Sequence, residues 1–117
     1  MNQKPDDLLP LKPNWLHILL ALSAGDQHGY GIMQDVLERT NGKVRLWPAT
    51  LYGSLDELCT LGWIRELDHA PSRAENVGHR RWFGITAAGR RTLAAEVARL
   101  QTMITVAEER LSARGKA

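Results

Sequence analysis

Apolar residues return every three or four positions through most of this chain, and the places where they stop returning divide it into elements. From Asn14, which can cap a helix, Trp15, Ile18, Leu19 and Leu22 share one helical face. "SAGDQHGYG" breaks the pattern from Ser23 to Gly31. A second helix follows with Ile32, Met33, Val36 and Leu37 on its stripe, and "TNG" (Thr40 to Gly42) ends it, because Asn and Gly tolerate the left-handed conformation at a helix C-terminus. "KVRL" (Lys43 to Leu46) reads as a short extended piece. Pro48 then suits the first turn of a third helix. Leu51, Leu55, Leu58 and Leu61 mark the buried stripe of that helix, and Gly62 its stop.

The period changes to two at Trp63 to Ala70. Strand-forming residues return at Arg80 to Thr86, and the polar segment "PSRAENVGH" between them predicts a long hairpin. Gly84 is an unusual choice inside a strand. Thr86 caps a final helix. Gly89 near its start implies close backbone packing. Leu93, Val97, Leu100, Ile104, Ala107 and Leu111 follow at spacings of 4, 3, 4, 3 and 4 residues, a heptad seam. A small domain has too little surface to bury so long and narrow a stripe, so the seam predicts a partner helix and a homodimer.

The order predicts a mainly α fold with a small β-hairpin: a winged helix-turn-helix plus a long C-terminal dimerisation helix. Residues 1–13, with three prolines and two adjacent aspartates, read as a flexible N-terminal arm. Residues 14–86 form the winged helix-turn-helix and 87–117 the dimerisation helix.

Composition narrows the chemistry. With 117 residues, 44% hydrophobic and 24% charged, one folded domain is expected. A net charge of +2 and a pI near 9.0 permit a nucleic-acid partner without requiring one. No apolar run reaches the length of a membrane span, and the N-terminus lacks a signal pattern, so a cytoplasmic protein without a membrane partner is expected. The lone cysteine, Cys59, fits a reducing compartment and reads as a small buried hydrophobe, with redox sensing as the alternative. His17, His28, His69 and His79 lack metal-ligand spacing. "HGYG" reads as the start of the second helix, with Tyr30 packed there and its hydroxyl capping a neighbour. No phosphate loop or nucleophile elbow is present, so neither an enzyme nor a cofactor is expected. Trp15, Trp47, Trp63 and Trp82 read as core anchors, of which one or two could line a partner surface.

Four motifs in order resemble the PadR family of winged-helix transcriptional regulators, over about residues 14 to 111: "LHILLAL" followed by "HGYGI"; "PATLYGSLDEL"; "LGWI"; and "RRWFGITAAGR". The resemblance implies dimeric DNA binding, usually repression relieved by a small molecule or other signal. Two features depart from the family pattern. Asp56 and Glu57 stand where members often carry basic residues, and the short C-terminal helix matches the compact subgroup.

On this reading Ala49, Thr50, Tyr52, Gly53 and Ser54 lie off the leucine stripe near the N-terminal end of the recognition helix, the end that enters the major groove. Lys43 and Arg45 before it, and Arg73, His79, Arg80 and Arg81 on the hairpin, supply phosphate contacts. Arg90 and Arg91 lie close by at the start of the last helix. The expected partner is a double-stranded, pseudo-palindromic operator. Trp15 and Met103 are candidates to flank a cavity for a small aromatic effector between protomers, as the resemblance implies. The alternative is a winged-helix protein–protein interaction module without DNA binding, and the acids Asp56 and Glu57 are what favour it.

Overall fold

The computed structural model describes residues 8–68 and 80–115. Its elements are α1 (Pro13–Ser23), β1 (Gln27–His28), α2 (Gly29–Arg39), α3 (Pro48–Leu61), β2 (Ile64–Leu67), β3 (Trp82–Ile85) and α4 (Ala87–Gly115). The antiparallel sheet has the order β1-β3-β2, with Gln27 opposite Phe83, Ile64 opposite Ile85 and Leu67 opposite Trp82. This is a winged helix-turn-helix followed by a long helix.

The helix stripes interlock as their period predicts. Ile18, Leu19 and Leu22 of α1, Ile32 and Val36 of α2, and Leu51, Leu55 and Leu58 of α3 are all fully buried, together with Phe83 from the sheet. Asn41 and Gly42, with φ of 54° and 78°, end α2, and Gly62 at φ 78° ends α3. Thr86 accepts from the Gly89 N–H at 3.0 Å and donates to the Gly62 carbonyl at 2.7 Å. That ties the start of α4 to the end of α3. A Cβ at Gly89 would overlap the Trp63 carbonyl oxygen, so the close backbone packing is real.

Four local expectations need correction. The first helix begins at Pro13, with Lys12 at the cap position and no side-chain cap, so Asn14 lies inside the first turn. The segment before it is not loose from residue 8 on. Leu11 is buried, Leu8 and Leu9 pack against the core, and the Leu11 N–H donates to Glu96 Oε2 at 2.9 Å. The interruption between α1 and α2 contains a two-residue strand that completes the sheet, and His28 Nδ1 caps α2 by accepting from the Gly31 N–H at 2.9 Å. Tyr30 stacks on His28 but is 58% exposed and not part of the core.

Helix α4 has two halves. Thr92, Leu93 and Glu96 are buried against the domain, whereas every residue from Gln101 to Ala113 is exposed. Leu93 belongs to the protomer's own core, a correction to its place in the seam. Leu100 is half-buried, while Val97, Ile104, Ala107 and Leu111 are exposed, as are Met103 and Val106.

Candidate nucleic-acid interface

The outer face of α3 is built by default. Leu51, Ser54, Leu55 and Leu58 stand at positions i, i+3, i+4 and i+7, which share one side of a helix, and all four are buried. Ser54 is therefore a core position, 6% exposed, and not a DNA contact; its i+3 spacing from Leu51 settles the face. Ala49, Thr50 and Gly53 remain on the exposed face, followed by Asp56, Glu57 and Thr60.

Tyr52 is intermediate. Its ring packs against the core and its hydroxyl reaches the backbone at Gly29, where any Cβ would collide with it. The Arg81 guanidinium lies 5.4 Å from the ring centroid. Tyr52 is thus a wedge between α2 and α3, its hydroxyl turned inward instead of toward a phosphate.

The two acids on α3 have partners inside the chain. Glu57 accepts from Trp15 Nε1 at 3.2 Å and lies 3.4 Å from Lys12 Nζ, so it faces α1. Asp56 lies 3.7 Å from Arg81 Nη2. Arg81 also makes two hydrogen bonds to Glu66, at 3.0 and 2.9 Å, which hold the Glu66 carboxyl below and the guanidinium above their ordinary pKa values. Arg81 braces β3 to β2 and α3, and its side chain remains 44% exposed. These pairs are largely exposed and individually weak; Lys12 and Arg81 offset only part of the charge of Asp56, Glu57 and Glu66, since Arg81 is shared by two carboxylates.

Lys43, Arg45, Arg65, Arg80 and Arg91 are exposed cations on the described residues near α3, the wing and the start of α4. Arg45 sits 5.1 Å from the Trp47 ring centroid. Arg80 Nη1 lies 3.0 Å from His28 Nε2. Because His28 Nδ1 accepts from Gly31, a neutral ring carries its proton on Nε2 and cannot also accept from Arg80. Arg90 reaches the Ser23 carbonyl at 3.5 Å. Arg73 and His79 lie outside the described residues.

Trp15, Trp63 and Trp82 are buried, with Trp15 edge-on to Trp63 at 5.7 Å, whereas Trp47 is 63% exposed. Trp15 and Met103 do not meet within one protomer. Trp15 borders an open groove of about 410 Å³ with Lys12, Glu57 and Leu61, while Met103 stands on the exposed half of α4. The half-buried Cys59 thiol is pushed up, first by burial and then by Glu66 and Asp56, which favours its protonated form. Among the described residues no three His, Cys, Asp or Glu side chains come together as a metal site, and no helix is long and apolar enough to cross a membrane.

Sequence reasoning missed Tyr30, Trp47 and Glu96 as special positions. Tyr30 stands three residues before Met33 and seven before Leu37, so the helical period placed it beside the α2 stripe and gave no sign of its exposure. Trp47 lies in an extended link with no period to read, and Glu96 looked like part of a solvated face between Leu93 and Val97.

No curated protein matches the chain. Several solved structures share its fold. A PadR family transcription regulator from Clostridium difficile is 20% identical, covers 86% of this chain and 99% of its own, and superposes with a TM-score of 0.69. A transcriptional regulator from Clostridium thermocellum is 22% identical, with coverage of 82% and 87% and a TM-score of 0.67. A Streptococcus mutans protein is 18% identical, with coverage of 96% and 94% and a TM-score of 0.63. At these identities the likeness is one of fold. The sequence profile of the transcriptional regulator PadR-like family matches residues 18–95, from the middle of α1 through the sheet into the first turns of α4. The match spans well over half of the chain, and with the helix-turn-helix, sheet and protruding helix in place, this protein belongs to the PadR-like family of transcriptional regulators, a non-enzymatic family.

Proposed function

We propose that this regulator is a sequence-specific DNA-binding repressor that acts as a homodimer. The observation that carries the reading is the outer face of α3. Its first turns present Ala49, Thr50 and Gly53 between exposed cations, and both acids of its third turn are engaged by Lys12, Trp15 and Arg81. Thr50 donates to a phosphate or meets a thymine methyl, and Gly53 lets the helix backbone approach the groove wall. Arg80, Lys43 and Arg45 hold the flanking phosphates. The feature that favoured an interaction module, acids at Asp56 and Glu57, is accounted for by their internal partners.

Residues 87–117 serve dimerisation. The apolar half of α4 has no partner within the described chain, and a second copy supplies one. Pairing of two such helices presents two α3 helices to one side of a duplex, which calls for a pseudo-palindromic operator with half-sites about one helical turn apart. The Trp15–Glu57 hydrogen bond joins the groove beside α1 to the recognition helix. A small aromatic effector at Trp15 would compete with that bond and shift α3, which relieves repression.

A binding titration against a randomised duplex library at several salt concentrations tests the reading. Affinity should fall steeply between about 50 and 200 mM salt as counterions are released, and selected sequences should converge on an inverted repeat. Absence of binding to any duplex at low salt refutes it.

A further inference from the structure

Two large aromatic side chains stand in solvent beside the recognition helix, and neither belongs to the α3 face just described. Tyr30, in the first turn of α2, is 58% exposed and Trp47, at the cap of α3, is 63% exposed. Both line one mainly apolar hollow with Met33, Leu37, Leu46 and Pro48, and with Gln34 and Arg45 at its polar positions. An exposed tryptophan is a poor choice for a solvated link, and the other three tryptophans of the chain are buried.

The charges around the hollow indicate what covers it. Arg45 lies over the Trp47 ring at 5.1 Å. On the other side Tyr30 stacks on His28 with centroids 6.4 Å apart, and His28 lies against Arg80. The sequence of groups is cation, aromatic, apolar hollow, aromatic, imidazole, cation. Asp35 and Glu38 line a second hollow together with Tyr30, His28 and Arg80, so two acids flank that end of the strip, and Asp35 is paired with Arg39 at 2.9 Å. A strip with cations at both ends and flat apolar faces between them matches the alternation of phosphates and deoxyribose rings along one DNA strand.

On the DNA-binding reading above, we infer that Tyr30 and Trp47 are positioning contacts to the DNA backbone that continue the α3 footprint. The Tyr30 hydroxyl and the Trp47 indole N–H donate to successive phosphates, and the hollow between the rings takes the intervening sugar. Arg45 holds the indole against the strand. The contact fixes where α3 enters the groove without reading bases.

Neutral donors displace no counterions, which separates these contacts from the arginines. The probe is a fluorescein-labelled, mixed-sequence duplex of roughly 30 bp, about three helical turns, titrated with the full chain. Tyr30→Phe should weaken binding about 3–10-fold, the effect of one hydrogen bond, and Trp47→Ala about tenfold. Both should leave the salt slope unchanged, whereas Arg45→Ala lowers it by about one. Melting temperatures should stay at wild type for both aromatic variants, because the side chains are exposed. Trp47 is also the chain's one exposed tryptophan, so acrylamide should quench it in the free protein and DNA should protect it; Trp47→Phe removes that component. If wild type binds while both variants bind within about twofold of it and Trp47 stays quenchable in the complex, the inference is overturned and the DNA reading stands. A reduced salt slope in either variant also overturns it. If wild type binds no duplex, the DNA reading itself fails and this inference with it.

Discussion

The exposed half of α4 allows a prediction whose size follows from the structure. Val97 and Ile104 are each 48% exposed and Leu111 is 72% exposed. Burying such a side chain completely stabilises by about 1.5–3 kcal/mol. The remaining exposure is then worth about 1 kcal/mol at Val97 and at Ile104, and somewhat more at Leu111. Two protomers bring this to about 6–7 kcal/mol, and Met103 and Val106 add to it if they turn inward. Association costs are of the same order, about 4–15 kcal/mol, so these three side chains alone leave the dimer marginal and each of them matters. Ile104→Asp combined with Leu111→Asp removes more than half of that apolar gain and sets four carboxylates in the seam. Neither residue belongs to the protomer core, so the folded domain should be untouched. Sedimentation velocity over a range of concentrations should show wild type as dimer and the double variant as monomer, with unchanged helical content. A double variant that still sediments as dimer at wild-type concentrations would refute the seam as the interface. Wild-type protein that is monomeric throughout would do the same.

Other positions answer to simpler measurements. Glu96 is 1% exposed and its carboxyl is held below the ordinary range, first by Arg99 and then, against the opposing cost of burial, by the Leu11 N–H. A depressed carboxylate stabilises the fold above its unfolded pKa of about 4.3 and loses that contribution as pH falls through the lower folded value. Chemical denaturation across pH 3 to 7 should therefore show an acid limb that flattens in Glu96→Gln, and an unchanged limb would count against this account. Glu96→Ala strands the Leu11 N–H and should cost about 1–3 kcal/mol. Gly89→Ala drives a Cβ into the Trp63 carbonyl and should destabilise by about 1–3 kcal/mol, read by thermal melting, despite the better helix propensity of Ala. Arg81→Ala should lower stability only slightly, since its ion pairs are exposed and worth under about 1 kcal/mol. It should nevertheless weaken DNA binding by leaving Asp56 uncompensated, and Arg81→Ala with Asp56→Asn should recover most of that loss. No recovery would mean that Arg81 touches DNA directly.

The periodicity of apolar residues was enough to place the helices and their buried stripes, because helix faces repeat locally every three or four residues. The chemistry of single residues was enough for the stops at Asn41, Gly42 and Gly62 and for the tight packing at Gly89, since only special residues tolerate those backbones or contacts. What stayed hidden depends on partners far away in the chain. The two-residue strand β1 carries no period of its own and exists because β3 offers its open edge. Glu96 reads as a solvated residue until Leu11, 85 positions earlier, brings its N–H to the carboxylate. Asp56 and Glu57 read as a defect in a DNA-binding helix until folding brings up Arg81 and, from 42 positions away, Trp15. The four tryptophans are chemically the same in the sequence, and only the packing of α1, α3 and the sheet decides that three are core and Trp47 is left facing out. A local pattern reports which face of an element is apolar; which polar group meets which, and which apolar group is left without a neighbour, follows only from how the elements assemble.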